Sequence, residues 1–515
     1  MPPRFLYQML LVKKWVRVLT GSMRGIYDRL LVLCPHGRCV WVLCFVFLLL
    51  FLLVGCDRYS MHRVRLAFQE GRFDDALRQL DKATTEKSQL PYLFEHALIA
   101  HYASHFEESN RIFEQAEILV EELYTKSFLR ESISLIASDN IRPYSGTRYE
   151  RFLVHYYRIL NYVYLNLQDD ALVECRRAER LRQYYVDEDP TYNFAGSAFL
   201  GYLSGIVYEW AGDWNDAYIA YRWAETGYQR YGEPLGISLP TDIGHALVRL
   251  SRFLGFKQDA ERYVLLYGES PQCPSGSGEL ILIYESGFVP PKIEEELFFP
   301  VFKTDPFIHQ KGADENEILE FANIVVHRQS SDYEEAELEY LMRLAIPAYI
   351  SKRPDLIGVR AGVRCASGIQ GRRGIDEISS LGQEWENFQA RGVLVEDIEG
   401  SVFATFETDD HKAILLRTAI RSILKYLAFR GVDGEDGFVG SLVDFLNVAS
   451  ERADTRSWET LPNQIFMARM FVPAGVHNVT LSFLDVDGNW GRTKTFSDVD
   501  VRANRKAFLN YRSFE

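Results

Sequence analysis

A pattern of small and aromatic residues recurs along the first half of the chain, and it constrains the fold more than any other feature. In its clearest copy, Gly212 is followed by Trp214, Ala217, Tyr221 and Ala224. Small residues let two antiparallel helices approach closely, while a large residue such as Tyr221 fills the groove towards the next helix. A single hairpin cannot cover its own apolar side, so such hairpins stack into a solenoid.

Five copies of this pattern are present, and they begin at Gly71, Ser104, Ala171, Gly212 and Gly255. The spacing between copies is irregular, which indicates that loops interrupt the array. The offsets resemble those of the tetratricopeptide repeat (TPR), and this resemblance implies protein or peptide binding in a concave groove. The alternative is an array of generic helical hairpins in which the small residues coincide by chance.

The composition changes at residues 271–278, where four Pro or Gly and two Ser predict a linker. The apolar segment within Glu279–Tyr284 predicts a buried strand, and an apolar stripe predicts a helix over Asp410–Ala428. Near the end of the chain, alternating segments separated by Gly turns predict three strands, at Gln464–Val472, Val476–Leu484 and Thr493–Val501.

The predicted fold class is therefore α+β with two domains. Residues 56–270 are expected to form a TPR-like α-solenoid of helical hairpins, and residues 279–515 a mixed α/β, strand-rich domain. A length of 515 residues agrees with more than one domain. A hydrophobic content of 47% is sufficient for packed cores.

The segment before the repeats has the features of a bacterial lipoprotein signal. A basic region precedes an uncharged apolar run, Val40–Val54, which leads through Gly55 to Cys56. At about 15 residues the run suits a signal and is short for a membrane span, which needs about 20. We therefore expect Cys56 to carry a covalent lipid, residues 1–55 to be removed, and translation to start at Met23. The alternative is an uncleaved membrane anchor.

Charge and the residue after Cys56 bear on location and partners. Residues 1–55 carry seven Lys or Arg and one Asp, so the overall charge of −14 leaves −20 on residues 56–515. An acidic exterior disfavours nucleic acid. The predicted partners are a membrane, through the lipid, and an envelope protein or peptide. The expected location is the periplasmic side of the cell envelope, and Asp57 favours the inner membrane over the outer one.

Motifs for catalysis or for metal binding are missing from the sequence. It contains no GxSxG, HExxH or phosphate-binding loop. Cys175, Cys273 and Cys365 are an odd set without a CxxC pair, and a bridge between the last two is left open. His101 and His105 share a helix face but lack the Glu of a zinc motif. We therefore predict no enzyme, no metal and no cofactor other than the lipid.

Several short motifs together resemble an uncharacterised family of bacterial TPR-containing lipoproteins. The motifs are Tyr149-Glu150-Arg151, His155-Tyr156-Tyr157, the segment Asp170–Ala178, Gly278-Glu279-Leu280, the segment Asp454–Trp458 and Leu461-Pro462. The resemblance covers most of the chain after residue 55. It implies an envelope location and a repeat architecture, and it implies no particular activity.

Two groups of side chains are candidates for binding. The first is predicted to line a partner groove, because Tyr and Arg are enriched at binding hot spots; it comprises Tyr149, Arg151, His155, Tyr156 and Arg158. The alternative places these residues on the helix surface and in the core.

The second group is Asp454, Arg456 and Trp458, a polar pair beside a large aromatic residue. Such a group suits a carboxylate, phosphate or sugar. The alternative is a polar corner that orders the chain before the last hairpin of strands. The leading functional prediction is a membrane-anchored envelope scaffold that binds protein through its repeats. The competing prediction is a ligand-binding or enzymatic C-terminal domain.

Overall fold

The computed structural model describes most of the chain after residue 55. The described ranges are 56–83, 89–128, 143–188, 196–305, 315–327, 337–351, 356–365, 388–406, 411–430 and 452–514. The predicted signal segment, residues 1–55, lies outside these ranges.

The described residues before position 270 form five antiparallel helical hairpins. Their helices are α1 (Cys56–Gln69) with α2 (Phe73–Ala83), α3 (Leu90–Tyr102) with α4 (Phe106–Phe128), α5 (Arg148–Tyr164) with α6 (Gln168–Glu188), α7 (Gly196–Ala211) with α8 (Trp214–Tyr231), and α9 (Thr241–Phe253) with α10 (Lys257–Tyr267). A short 3₁₀ turn, Glu233–Leu235, joins the last two hairpins. We refer to α1, α3, α5, α7 and α9 as the first helices and to the others as the second helices.

Each hairpin turns on one residue in the left-handed region. These residues have φ angles between 56° and 83°, and they are Gly71, Ser104, Asn166, Gly212 and Gly255. The N–H after each turn residue bonds to a carbonyl five residues back, as Arg72 does to Ala67 at 2.9 Å. This bond is the signature of a Schellman helix end.

A buried small residue follows each turn residue after five positions. The set is Ala76, Ser109, Ala171, Ala217 and Ala260. The five predicted repeats are therefore confirmed as five hairpins, and the third copy turns at Asn166. Asn tolerates positive φ because its side chain can bond locally.

The described residues after position 276 include two four-stranded sheets and a smaller two-stranded one. The strands are β1 (Ser277–Ser286), β2 (Lys292–Phe302), β3 (Leu338–Tyr349), β4 (Leu356–Cys365), β5 (Phe388–Arg391), β6 (Val393–Asp397), β7 (Gln464–Pro473), β8 (Gly475–Asp485), β9 (Trp490–Val501) and β10 (Lys506–Ser513). The first sheet has the order β10-β1-β7-β6, the second has the order β5-β4-β8-β9, and β2 pairs with β3.

Strand β1 shows how these layers stack. All of its ten residues are buried. Leu280 and Leu282 face the second sheet, whereas Ile281 and Ile283 belong to the core of the helical hairpins. The first sheet is thus a middle layer between helices and second sheet, and we call it the central sheet. A strand buried on both faces is expected to be apolar throughout, which explains the run predicted here.

Three further helices complete the described chain: α11 (Glu315–His327), α12 (Ile398–Thr405) and α13 (His411–Arg430). Helices α11 and α13 cover the β2–β3 hairpin and form a separate small core with it. The helix predicted over 410–428 and the three predicted C-terminal strands lie within one to three residues of the observed bounds.

The segment predicted as a linker has two parts. Residues 271–276 are exposed, but Ser277 and Gly278 already belong to β1 and are buried. Cys273 is a free thiol in the exposed part, so the bridge to Cys365 does not form. The secondary structure changes from helices to strands at this point. One apolar core nevertheless contains residues from both parts, for example Tyr156 of α5 and Met467 of β7.

Candidate functional site

The side of the hairpins that faces the central sheet is occupied by the chain itself. The turn 457–460, which precedes β7, lies against α3 and α5. Trp458 is completely buried there. Its ring stacks on Phe94 at 4.7 Å between centroids and a 20° interplanar angle. A large aromatic residue of the second half thus fills the space that a ligand of the first helices would need.

Two buried carboxylates hold the backbone of this turn. Glu95 of α3 accepts hydrogen bonds from the N–H groups of Glu459 at 2.7 Å and Thr460 at 3.3 Å. Glu150 of α5 accepts one from the N–H of Trp458 at 2.7 Å. Burial raises the pKa of Glu95 to about 8. These hydrogen bonds orient the turn on the helices. Without the two glutamates, the backbone N–H groups of the turn would have no partner in the interior.

A third buried glutamate comes from the central sheet and meets the tyrosines of the first helices. Glu285 of β1 accepts hydrogen bonds from the hydroxyls of Tyr102 at 2.5 Å, and of Tyr156 and Tyr157 at 3.0 Å each. Arg512 of β10 lies 5.2 Å from the centroid of the Tyr102 ring. The tyrosine-rich face of α3 and α5 therefore recognises a carboxylate of the same chain.

An ion network joins α7 to the central sheet. Arg469 of β7 donates to Glu209 at 2.9 Å, to Glu279 at 2.7 Å and to the hydroxyl of Tyr221 at 3.0 Å. Lys506 of β10 lies 2.9 Å from Glu209. Burial opposes the ionisation of Glu209, but its cationic neighbours together outweigh burial and lower its pKa.

The structure places four of the five predicted partner-binding residues in the interior. Tyr149, His155, Tyr156 and Arg158 are all 5% exposed or less. Arg151 is partly exposed, and it donates to the Tyr185 hydroxyl at 3.0 Å. They therefore do not line an open groove: Tyr156 packs in the core that α5 shares with the central sheet, while His155 and Arg158 pair with glutamates of α4 and α6.

The predicted polar site forms a corner next to the occupied face. Asp454 and Arg456 pair with each other through two bonds of 2.8 Å, and both side chains are about one quarter exposed. Arg456 also lies 5.5 Å from the centroid of the Tyr144 ring. Trp458 points away from this pair into the core. The contacts of these three residues are thus with other parts of the same chain.

A second charged cluster lies among α4, α5 and α6. His155 Nδ1 is 2.5 Å from Glu174 Oε1 and 3.7 Å from Glu117 Oε1. Arg158 contacts both carboxylates from the other side. Within the part of the chain that the structure describes, these three side chains form a group with metal-ligand spacing. By contrast, His101 bonds to Asn161 at 2.6 Å, and His105 is exposed.

The second helices carry a row of exposed aliphatic side chains. Ile118, Val173, Ile219 and Leu266 are 44–55% exposed. They follow the turn residues of hairpins two to five by 14, 7, 7 and 11 positions. Differences of four and seven keep residues on the same face of a helix, so we call this set the outer row.

An exposed arginine lies within one or two turns of each outer-row residue along its own helix. In chain order these arginines are Arg111, Arg176, Arg222 and Arg262. Exposed acidic residues lie equally near, such as Glu122 beside Ile118 and Asp170 beside Val173, so the outer row is bordered by charges of both signs.

Cys56 is the first residue of α1, and its side chain and its contacts lie outside the description. No helix among the described residues is long and apolar enough to cross a bilayer. The first hairpin packs on the end of the chain, where Phe68 lies 5.2 Å from Phe514 between ring centroids.

Sequence reasoning missed the buried glutamates that join the two halves. One signal was present: Thr147 and Glu150 have the spacing of a capping box, and Glu150 indeed accepts a bond from the N–H of Thr147 at 2.7 Å. Its second oxygen is thereby aimed at Trp458. For Glu95 and Glu285 no local pattern exists, because their partners are 365 and 128–183 residues away.

Comparisons with known proteins give no family. No family model matches the sequence, and no curated protein matches it. Among solved structures, the chain is similar to MamA, at 13% identity over 41% of this chain and 88% of that one, with a TM-score of 0.27.

It is also similar to the apo form of RapI, at 12% identity over 41% and 52% of the two chains, with a TM-score of 0.30. A third similarity is to the nearly identical TPR-like repeats of a Podosopora anserina kinesin light chain, at 12% identity over 41% and 92%, with a TM-score of 0.26. Because these identities and TM-scores are low, the description of the hairpins as TPR-like depends on the turns and the helix packing of this chain.

Proposed function

We propose that this chain is a lipid-anchored scaffold of the bacterial envelope that binds a protein partner through the outer row. The observation that carries the proposal is the contrast between the two sides of the hairpins. The inner side, where a TPR groove is expected, is filled by the turn 457–460 and the central sheet. The outer side leaves an aliphatic side chain exposed on each of four second helices.

The chemistry of the outer row defines the partner. Aliphatic side chains gain free energy when their exposed area is buried, at about 25 cal/mol per Å². Charged groups across an interface must be complementary, and exposed residues of both signs border the row, as Arg176 and Asp170 do beside Val173. The partner is therefore a protein segment with an aliphatic face and charges of both signs around it.

Two substitutions in the row test this role. The double variant Val173→Asp/Ile219→Asp puts like charge and desolvation cost into the row, and crosslinked detergent extracts from cells that express it should lose a stoichiometric partner that the wild-type protein captures. Val486→Asp, at an aliphatic residue that is 56% exposed outside the helical hairpins, is the matched control. Equal capture by all three proteins would refute the outer row as the binding surface.

The anchor is a separate part of the proposal and has a separate test. Cys56 follows a basic region and a short apolar run, which is the order of a lipoprotein signal. In a bacterial host, radiolabelled fatty acid should enter the wild-type protein and not the Cys56→Ser variant. Membrane attachment of the serine variant without acylation would overturn the anchor and leave the scaffold role untouched.

A further inference from the structure

Three consecutive helices each contribute one potential metal ligand to a single point. Glu117 comes from α4, His155 from α5 and Glu174 from α6. His155 Nδ1 and one oxygen of each carboxylate lie within 4.8 Å of one another. The three side chains come from two hairpins, so no local sequence pattern brings them together.

The carboxylate oxygens of Glu117 and Glu174 that do not face His155 contact two arginines. Arg158 contacts the Oε2 atoms of Glu117 and Glu174, the latter at 3.4 Å from its Nε. Arg177 lies 3.4 Å from Glu117 Oε2 and 3.7 Å from Glu174 Oε2. The two Oε1 atoms are thus left to face the imidazole nitrogen. This arrangement is the one that outer-shell groups give to metal ligands.

Burial and charge are compatible with an ion at this point. The side chains of His155 and Glu174 are 6% and 1% exposed, whereas Glu117 is 26% exposed and opens the site to solvent. Glu114 also bonds to Arg158, at 2.5 Å. With a neutral imidazole, the three carboxylates exceed the two guanidinium groups by one negative charge.

We propose that Glu117, His155 and Glu174 bind one divalent transition-metal ion, with Zn²⁺ as the best representative. One imidazole nitrogen and two carboxylate oxygens suit Zn²⁺, with water as the fourth ligand. Ca²⁺ prefers six to eight oxygens, so it is disfavoured.

The present distances require a small adjustment. Bonds of about 2.0–2.2 Å place tetrahedral ligands about 3.3–3.6 Å apart. Glu174 must therefore move away from His155 by about 1 Å, while the separation between Glu117 and His155 is already close to the required value. The ion would tie the second hairpin to the third across residues 129–142.

Calorimetric titration of the untagged full-length protein in detergent tests the site, after chelator treatment and with ZnCl₂ alone as the probe. The wild-type protein should bind one Zn²⁺, and His155→Gln and Glu117→Gln should each weaken binding by at least about 100-fold, more than the loss of an outer-shell group. Glu114→Gln is the matched control: it removes a carboxylate of the same cluster that offers no ligand atom, so binding should persist.

Cobalt supplies a measurement that reports coordination geometry as well as binding. Co²⁺ at this site should give the visible absorption of a tetrahedral complex, and the band should vanish in Glu117→Gln, which is partly exposed and should fold even if His155→Gln does not. Equal uptake by Glu117→Gln and Glu114→Gln would mean an adventitious ion only and would overturn the site, as would the absence of any Zn²⁺ uptake by the wild-type protein. The proposed scaffold role does not depend on this result.

Discussion

The inner and outer sides of the helical hairpins differ in what covers them. On the inner side, Trp458 is completely buried against Phe94, and three glutamates, Glu95, Glu150 and Glu285, bond between the two halves of the chain. On the outer side, Val173 and Ile219 of the second helices are about half exposed. The same repeat pattern produces both sides.

The difference shows that a repeat pattern specifies hairpins without specifying which side remains available. Helix packing depends on residues a few positions apart, whereas occupation of the inner side depends on a turn near residue 458. The proposed function therefore depends on the side that the rest of the chain leaves uncovered. Each prediction below tests one part of this contrast.

The largest effect is expected from the aromatic residue that fills the inner side. Trp458→Ala removes a completely buried ring from its place against Phe94, and such truncations cost about 3–5 kcal/mol because a cavity remains. Urea denaturation followed by circular dichroism measures the loss. Trp214→Ala, at a ring that is 40% exposed on the outer side, should cost about 1 kcal/mol or less.

The next effect concerns the buried ion network. Arg469→Ala leaves Glu209 and Glu279 without the guanidinium that both contact. The cost should be about 3 kcal/mol, the lower end for breaking a buried pair, because Lys506 still contacts both carboxylates and Arg249 still contacts Glu209.

The exposed pair of Arg252 and Glu269 is the control, and Arg252→Ala should leave the free energy of unfolding almost unchanged, because solvent screens an exposed pair. Similar losses for both variants would contradict the distinction.

A pH dependence is expected from Glu95. Its pKa is raised to about 8 in the folded protein, against about 4.3 in an unfolded chain. Between these values the folded state binds more protons, so stability falls as pH rises from about 5 to 8. Glu95→Gln should flatten this slope by about 1 kcal/mol per pH unit.

Part of the slope should remain in Glu95→Gln, since burial also raises the pKa of Glu396 to about 8. Thermal melts at pH 5, 6.5 and 8 measure it. Glu269→Gln, at an exposed glutamate, should leave the slope between pH 5 and 8 as it is in the wild-type protein.

Substitutions at two of the turn residues should change the free energy of unfolding in opposite directions. Gly212 has a φ of 83°, and an added Cβ meets no atom within 4 Å, so the cost of Gly212→Ala is conformational and about 1–2 kcal/mol. Ser104 has a φ of 63°, so Ser104→Gly should stabilise the protein by up to about 1 kcal/mol. Differential scanning calorimetry of the two variants measures these changes in stability. A change of the same sign in both variants would be inconsistent with this account.

The smallest effect on stability is expected on the outer row. Ile219→Asp should change the free energy of unfolding by about 0.5 kcal/mol or less, because the side chain is 53% exposed. Ile206→Asp, on the inner side and completely buried, should lower it by several kcal/mol. If Ile219→Asp proves as harmful, the outer row is part of the core and not an interface.

Sequence reasoning found the elements with a local cause. The five repeats, the strand from Glu279 and the hairpin around Gly475 each depend on residues close in sequence, through helix packing, double-sided burial or turn chemistry. It did not locate Tyr156 or Arg158, because the burial of a helix face depends on what packs there. Nor did it associate Glu117 with His155 and Glu174, which helices of two different hairpins bring together.

By itself, the sequence determined five helical hairpins, the change to strands near residue 277 and the lipoprotein-like segment before Cys56. Only the tertiary structure decided that the chain fills its own inner side and leaves the outer side exposed. The physical reason is range: turns and helix periodicity act over a few residues, while the bonds from Glu95 and Glu150 to residues 458–460 close loops of more than 300 residues.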